Sequence, residues 1–412
     1  MTGLILALAA NLTGLFSFVA AGLHHRYIIR WQRRRRPTAP YPRVAVIAPH
    51  RGRVVPEHVE ALIAQDYPGT WEILFVTTRD DRAYEPLRSY AERHPHVRLE
   101  VAHDVVQLAR EQGIHRGQKD ENLVTALSVI PAETEIVAGI DSDVCPTEDW
   151  LRALVEPFID ADTKLGATTF ARFYEPGASV ASCTQAAWIL GSGGFLIGPW
   201  GYVWGGSFAV HRRVLETTDV LDRWKGKKRL SFSDDLNLSV ALRRAGYRTC
   251  YVPGARAVRK AVRRRETWSD VLRFTNRQLL HVWWTRKDLW LIVLLSHGLK
   301  SLALIGALGI ARWQPAGLLA LIVPLMDIVA FRVSLRSLRR FDPSQEQLYE
   351  SLRRIIPRGA PPAPILALIN TLAACVTTRM RWGGVVYTRR TVVGYTDDDS
   401  WRTDERAEPT TA

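Results

Sequence analysis

Three short stretches place carboxylates, a lysine and backbone amides where phosphate and proton chemistry could be done. The first is Gly139-Ile-Asp141-Ser-Asp143, which closes the apolar run Glu135-Ile-Val-Ala-Gly-Ile140. On a strand, residues i and i+2 share a face. Two carboxylates at a strand's carboxyl end can then converge on one hard divalent cation, Mg2+ or Mn2+, and on the diphosphate it holds. An Asp-x-Asp pair is common by chance in a chain of 412 residues. Its place after an apolar strand is what singles this one out. The second stretch is Ser233-Asp234-Asp235-Leu-Asn-Leu238, opening a helix. Ser233 suits the N-cap, and one aspartate is accounted for by the helix dipole at ~0.3–1 kcal/mol. Two adjacent carboxylates after the basic loop Lys225, Lys227, Lys228 and Arg229 exceed what a cap needs, and one can serve as a general base toward a hydroxyl. The third is Arg116-Gly-Gln118-Lys119-Asp-Glu-Asn122-Leu123. Lys119 near a helix N-terminus can pair with phosphate, aided by the unsatisfied N–H groups there.

The elements that must position these residues alternate between β-branched runs and helical periodicity from Arg43 to about Arg265, the pattern of an α/β domain with a parallel sheet. Val44–Ala48, Glu72–Val76, Val97–Val101 and Glu135–Ile140 read as strands, and Tyr247–Val252 as a further short one. Glu57–Gln65, Glu121–Val129 and Leu236–Ala245 read as helices, with Pro56 in a first turn and Gly246 at a stop. Gly191–Gly206, with Trp200 and Trp204, reads either as an apolar acceptor slot or as a core turn.

Both ends of the chain differ from this domain. Gly3 to Leu23 carries no charge and is long enough for the ~20 residues that cross a bilayer. Arg26, Arg30 and Arg33 to Arg36 follow it, so it reads as an anchor (1–25) with its N-terminus outside, continued by a basic linker (26–42) in the cytoplasm. Residues 43–267 form the catalytic domain and 268–289 an interface helix. Trp290–Ala311 and Ala316–Phe331 form a transmembrane hairpin (290–335), and 336–395 is amphipathic or interfacial, with Pro364–Thr378 too short for a span. The tail 396–412 is acidic and polar. Inside the hairpin, Lys300 and Asp327 stand equally far from the turn at Trp313 and Gln314, hence at one depth and able to face each other. The net charge of +14 belongs to juxtamembrane clusters rather than to a nucleic-acid face. The run Arg256, Arg259, Lys260 and Arg263 to Arg265 is expected against the anionic leaflet. Four cysteines without CxxC pairing suit a reduced compartment and no zinc site.

Taken in order, these motifs resemble an inverting family 2-type glycosyltransferase of the ceramide-glucosyltransferase-like branch. The matching residues are Ala61-Leu-Ile-Ala-Gln-Asp-Tyr-Pro68, Gly117-Gln-Lys-Asp-Glu-Asn-Leu123, Asp141-Ser-Asp143, Asp149-Trp-Leu151 and Trp204-Gly-Gly-Ser-Phe-Ala-Val-His-Arg212. Ser233-Asp-Asp-Leu-Asn-Leu238, Leu242-Arg-Arg-Ala-Gly-Tyr247 and Arg277-Gln278 complete them. The resemblance implies a GT-A catalytic domain with membrane helices at both ends, a multi-pass membrane location with the catalytic domain in the cytoplasm, a nucleotide-sugar donor (a UDP-sugar foremost), a lipid acceptor and a divalent cation. It implies that Asp143 and Asp141 hold the metal and the donor diphosphate, and that Lys119 and Gln118 bind the donor. Asp235 matches the catalytic base, with Asp234 before it. Arg273, Arg277 and Gln278 match the region of a Q-x-x-R-W element, although here Asp270-Val-Leu-Arg273-Phe274 replaces its glutamine and tryptophan. Relatives carry an aspartate directly on the second strand, whereas this chain reads Thr77-Thr78-Arg79-Asp80-Asp81, so the resemblance implies either a nucleobase contact moved to Asp80 or Asp81 or a different base selectivity. A processive polysaccharide synthase would need more spans and an intact element. A non-catalytic scaffold is opposed by retention of Asp141, Asp143 and Asp235.

Overall fold

The structure, a computed structural model, describes residues 1–34, 37–159, 163–170, 173–177, 179–192, 201–227, 232–260, 266–341 and 346–396. The chain forms two compact units. One gathers Arg35–Arg172, Phe195–Arg259 and Thr378–Ala412; the other gathers Met1–Arg34, Phe173–Gly194 and Lys260–Thr377.

The first unit is built on a seven-stranded sheet: β1 (Val44–Pro49), β2 (Trp71–Thr77), β3 (Val97–Val101), β4 (Ile136–Ile140), β5 (Leu165–Thr169), β6 (Ser207–His211) and β7 (Arg248–Tyr251), in the order β3-β2-β1-β4-β6-β5-β7. β3, β2, β1 and β4 run parallel, and β6 is antiparallel to both neighbours. Parallel strands covered on both faces read as unbroken apolar runs. Val44 to Ala48 and Ile73 to Val76 are accordingly buried throughout. Leu123 and Ala126 of the helix Gln118–Val129, and Leu238, Ala241 and Leu242 of the helix Asp234–Arg244, close the same core. The sheet therefore fixes where both helix N-termini begin.

A second sheet in this unit was not anticipated. Arg379–Trp382 (β8), Val385–Thr388 (β9) and Val392–Tyr395 (β10) form an antiparallel meander in a region expected to be interfacial. Met380, Val385, Tyr387 and Val392 are buried while Arg379 and Arg381 are exposed, an alternation of period two. Arg256, expected at a lipid surface, is instead buried with its guanidinium 3.6 Å from Asp149, because its backbone leads into a strand paired with Cys145–Pro146. Of the remaining run, 263–265 and the tail 397–412 lie outside the described residues.

Among the described residues, the second unit holds three helices long and apolar enough to cross a membrane: Thr2–Gln32, Lys287–Ile310 and Pro315–Arg340. Ala7, Ala10, Ala303, Ala307 and Ala320 line their common core, and small residues let apolar helices approach closely. Gly317 lies where a Cβ would come within 2.2 Å of the Ala307 carbonyl. Large side chains such as Leu8, Phe16, Leu302 and Leu325 point outward. Lys300 Nζ donates to Asp327 Oδ1 (2.7 Å) and to Ser17 Oγ (2.9 Å), so the two charges face each other inside the bundle. Pro324 does not break its helix, because it falls in the first turn of Ile322–Phe341, where a missing N–H costs nothing. Glu346–Gly359 and Ala363–Val376 form a pair bent by 72°.

Candidate active site

Three chain segments converge at the carboxyl end of β4. β4 stops at Ile140, so Asp141-Ser142-Asp143 lies on the turn after the strand rather than on it, and strand alternation does not set the aspartates' directions. The helix Gln118–Val129 brings Lys119 from one side. The helix Asp234–Arg244 brings Asp234 and Asp235 from the other.

Lys119 joins them. Its Nζ lies 2.7 Å from Asp141 Oδ1, 3.2 Å from Asp234 Oδ2 and 2.9 Å from the Gly205 carbonyl. Burial works to lower the lysine's pKa, but the Asp141 and Asp234 carboxylates outweigh it and hold the group above its ordinary value. Gly205 permits this approach: a Cβ there would come within 2.8 Å of Asp234 Oδ2 and 3.0 Å of Lys119 Nζ. Asp234 is buried, and that burial pushes its carboxyl up to about 6 despite Lys119, with Asp235 adding to the rise. Trp224 Nε1 donates to the Asp234 carbonyl and fixes the start of the helix.

Asp235 is held by three donors. Ser233 Oγ (2.6 Å) and Leu236 N–H (2.7 Å) give to Oδ1, and Gly205 N–H (3.0 Å) gives to Oδ2. Ser233 thus donates its hydroxyl to Asp235 instead of capping the helix through its oxygen, because the carboxylate is the stronger acceptor.

Other expected site residues stand differently. Gln118, expected at the donor, is buried and turned inward. Its Nε2 donates to the His103 carbonyl (2.8 Å) and Asn122 Oδ1 (3.0 Å), and its Oε1 accepts from Val105 N–H (3.1 Å). Its amide braces the loop before Lys119. Asp81 Oδ1 accepts from Gly52 N–H (2.8 Å) and Ala83 N–H (2.9 Å), tying the β1 and β2 loops together, while Asp80 is exposed at the same turn. Trp204 is half-buried, its N–H on Thr169 Oγ1 (2.9 Å); Trp200 lies outside the described residues. Arg273, Arg277 and Gln278 sit on the helix Trp268–Thr285 of the other unit, Arg277 over the Phe274 ring at 5.7 Å. Sequence reasoning missed Asp120, next to Lys119 and fully buried. Burial first, then Asp234, holds its carboxyl well above the ordinary range.

Among the described residues no three His, Cys, Asp or Glu side chains gather for a metal. Mg2+ commonly takes one or two carboxylates and completes its shell with substrate phosphate and water. Asp141, its side chain 30% exposed, and Asp143 fit that donor set.

Adjacent strands β2, β1 and β4 running parallel, an Asp-x-Asp turn at the end of β4 and a lysine bound to it define the fold class as GT-A, the nucleotide-diphospho-sugar transferase type. The family described as Glycosyltransferase like family 2 matches residues 40–280, more than half the chain, and the chain belongs to it. It is a nucleotide-sugar glycosyltransferase of that family. Among solved structures it is similar to a mannosyltransferase from Pyrobaculum calidifontis in complex with GDP-Man and Mn2+, at 18% identity over 89% of this chain and 99% of that one, with a TM-score of 0.43. It is also similar to glucosyl-3-phosphoglycerate synthase from Mycobacterium tuberculosis in complex with Mg2+ and uridine diphosphate, at 16% identity over 58% of this chain and 78% of that one, with a TM-score of 0.35. No curated protein sequence matches the chain.

Proposed function

We propose that the protein transfers a sugar, with inversion, from a nucleotide-sugar donor (a UDP-sugar foremost) to a lipid acceptor at the cytoplasmic membrane face. The observation that carries this reading is the Lys119 hub, which links the Asp-x-Asp turn to the pair Asp234 and Asp235 within one set of contacts. A leaving diphosphate and an acceptor hydroxyl must flank one anomeric carbon, and these are the groups that would serve each side. The acceptor hydroxyl attacks that carbon, and Asp235, oriented by its three donors, takes the hydroxyl proton. The bond to the diphosphate breaks with its electron pair on the departing oxygen, and Lys119 offsets the charge that grows there. Asp141 and Asp143 would hold a divalent cation, which when bound supplies further neutralisation of the diphosphate. Arg273, Arg277 and Gln278 are proposed to add to the donor grip, as in the ceramide-glucosyltransferase-like branch. Three helices long and apolar enough to span a bilayer support a lipid acceptor, and the arginines after the first of them support the cytoplasmic face. The test is a panel of UDP- and GDP-sugars given to membranes carrying the chain, with lipid products read by mass spectrometry. A sugar-bearing lipid is expected with one donor; its absence with every donor, alongside transfer to a soluble acceptor, overturns the lipid reading.

A further inference from the structure

The C-terminal sheet is fastened to loops around the Lys119 site. Tyr395 donates to Asp104 Oδ1 (2.9 Å), and Val392 N–H donates to His115 Nδ1 (3.3 Å). The Tyr387 ring lies 4.6 Å from that of Phe232, and the Gln118 main chain is near enough to the Tyr387 hydroxyl to oppose the rise that burial gives its pKa. Gln118 and Phe232 are the chain neighbours of Lys119 and Ser233. The sheet is therefore bound to both segments that carry the site.

Against the turn between β8 and β9 runs Arg51. A Cβ on Gly383 would stand 3.3 Å from Arg51 Cδ and 3.8 Å from its Nε. β1 pairs with β4 as far as Ile47 opposite Gly139, and past that point one chain continues to Arg51 and the other to the Asp-x-Asp turn. Arg51 thus leaves the sheet at its carboxyl end, beside the Asp-x-Asp turn, where open α/β sheets take their ligands. Its Nε and Nη1 are buried and have no hydrogen-bond partner, and among the described residues no carboxylate pairs with it. Leaving two buried guanidinium nitrogens without an acceptor is costly, and native structures rarely do so without a water, ion or ligand to meet them. Lys119, by contrast, is matched by Asp141 and Asp234. Among the described residues the uncompensated cation at this end of the sheet is Arg51, and its guanidinium N–H groups are suited to phosphate oxygens.

We propose that Arg51 is a donor-binding residue whose guanidinium takes the diphosphate of the nucleotide sugar, and that the C-terminal sheet is the part of the fold that seats it there. This rests on the nucleotide-sugar reading above. The test is calorimetric titration of the full chain in detergent with UDP and GDP, and with uridine and guanosine, in the presence of Mn2+. Arg51→Gln is expected to weaken the nucleoside diphosphate that binds by about 10- to 100-fold, and to leave the matching nucleoside unchanged. Arg51→Lys, which keeps the charge without the fork, should fall between, and it carries the test if the glutamine variant does not fold. Equal binding by wild type and both variants overturns the Arg51 assignment alone. An equal loss for nucleoside and diphosphate also overturns it, by moving Arg51 to the base. Failure of the wild type to bind either diphosphate takes down this inference and the donor reading together.

Discussion

Among the described residues two lysine–aspartate pairs share the same 2.7 Å contact, Lys119–Asp141 and Lys300–Asp327, and they differ in what lies open beside them. Around Lys119 the Asp141 side chain is 30% exposed and Asp235 adjoins, at the end of a sheet where a ligand can enter. Around Lys300 the partner Asp327 is only 7% exposed and Ser17 takes a second hydrogen bond, all within apolar helices. In the proposed function the first pair exchanges a partner for a substrate phosphate. The second has no such opening and serves to hold Thr2–Gln32 against the hairpin. Equal distances, in short, say little about role; access and neighbours decide it.

The difference can be broken by mutation. Lys119→Met is expected to lower kcat/KM by about 10²–10³-fold, through loss of charge at the leaving group. An assay showing less than a threefold loss in a folded variant would make the two lysines alike. Lys300→Met should instead destabilise the fold by about 3–5 kcal/mol, since it strands a buried carboxylate, while the turnover of folded protein stays near normal. Adding Asp327→Leu should recover most of that loss. Thermal melts of the single and double variants in detergent check this, and a double variant worse than either single would contradict it.

The two effects also separate with pH. Asp234 is raised by burial from 3.8 to about 6, so it takes up a proton as pH falls through about 6, which releases Lys119. Transfer should therefore decline below pH 6. Stability moves the other way. Between about 4 and 6 the folded state binds this proton more readily than the unfolded state, so lowering the pH favours the fold as far as this group is concerned. Parallel pH profiles of kcat/KM and of melting temperature test the opposition, and Asp234→Asn should flatten this part of both. The smallest effect is expected at Asp120, held well up by burial: Asp120→Asn should leave kcat/KM within a few-fold, and a loss as large as that of Lys119→Met would show that its charge is used.

Legibility in the sequence followed burial and end positions. β1, β2 and β4 announced themselves because strands covered on both faces are continuous apolar runs, β3 because it alternates, and Asp141, Lys119, Asp234 and Asp235 stood out because they sit at element ends. The depth match of Lys300 and Asp327 was countable along two helices. The C-terminal sheet was not legible, since its strands are four residues each and Arg379 and Arg381 alternate with Met380 and Trp382, so charge hid the period of two. Nor was the inward turn of Gln118, which depends on His103 and Val105, or the burial of Arg256 beside Asp149. Such contacts are tertiary and leave no local pattern.

The central claim is that Asp235 removes the acceptor proton. Asp235→Asn keeps the shape and an oxygen for the Ser233 and Leu236 donors, gives up the Gly205 contact, and cannot take that proton at neutral pH. Single-turnover transfer by the folded variant, measured beside nucleoside diphosphate binding, is expected to fall below detection while binding stays within a few-fold of wild type. Near-normal transfer by Asp235→Asn, with loss in Asp234→Asn instead, would contradict the assignment.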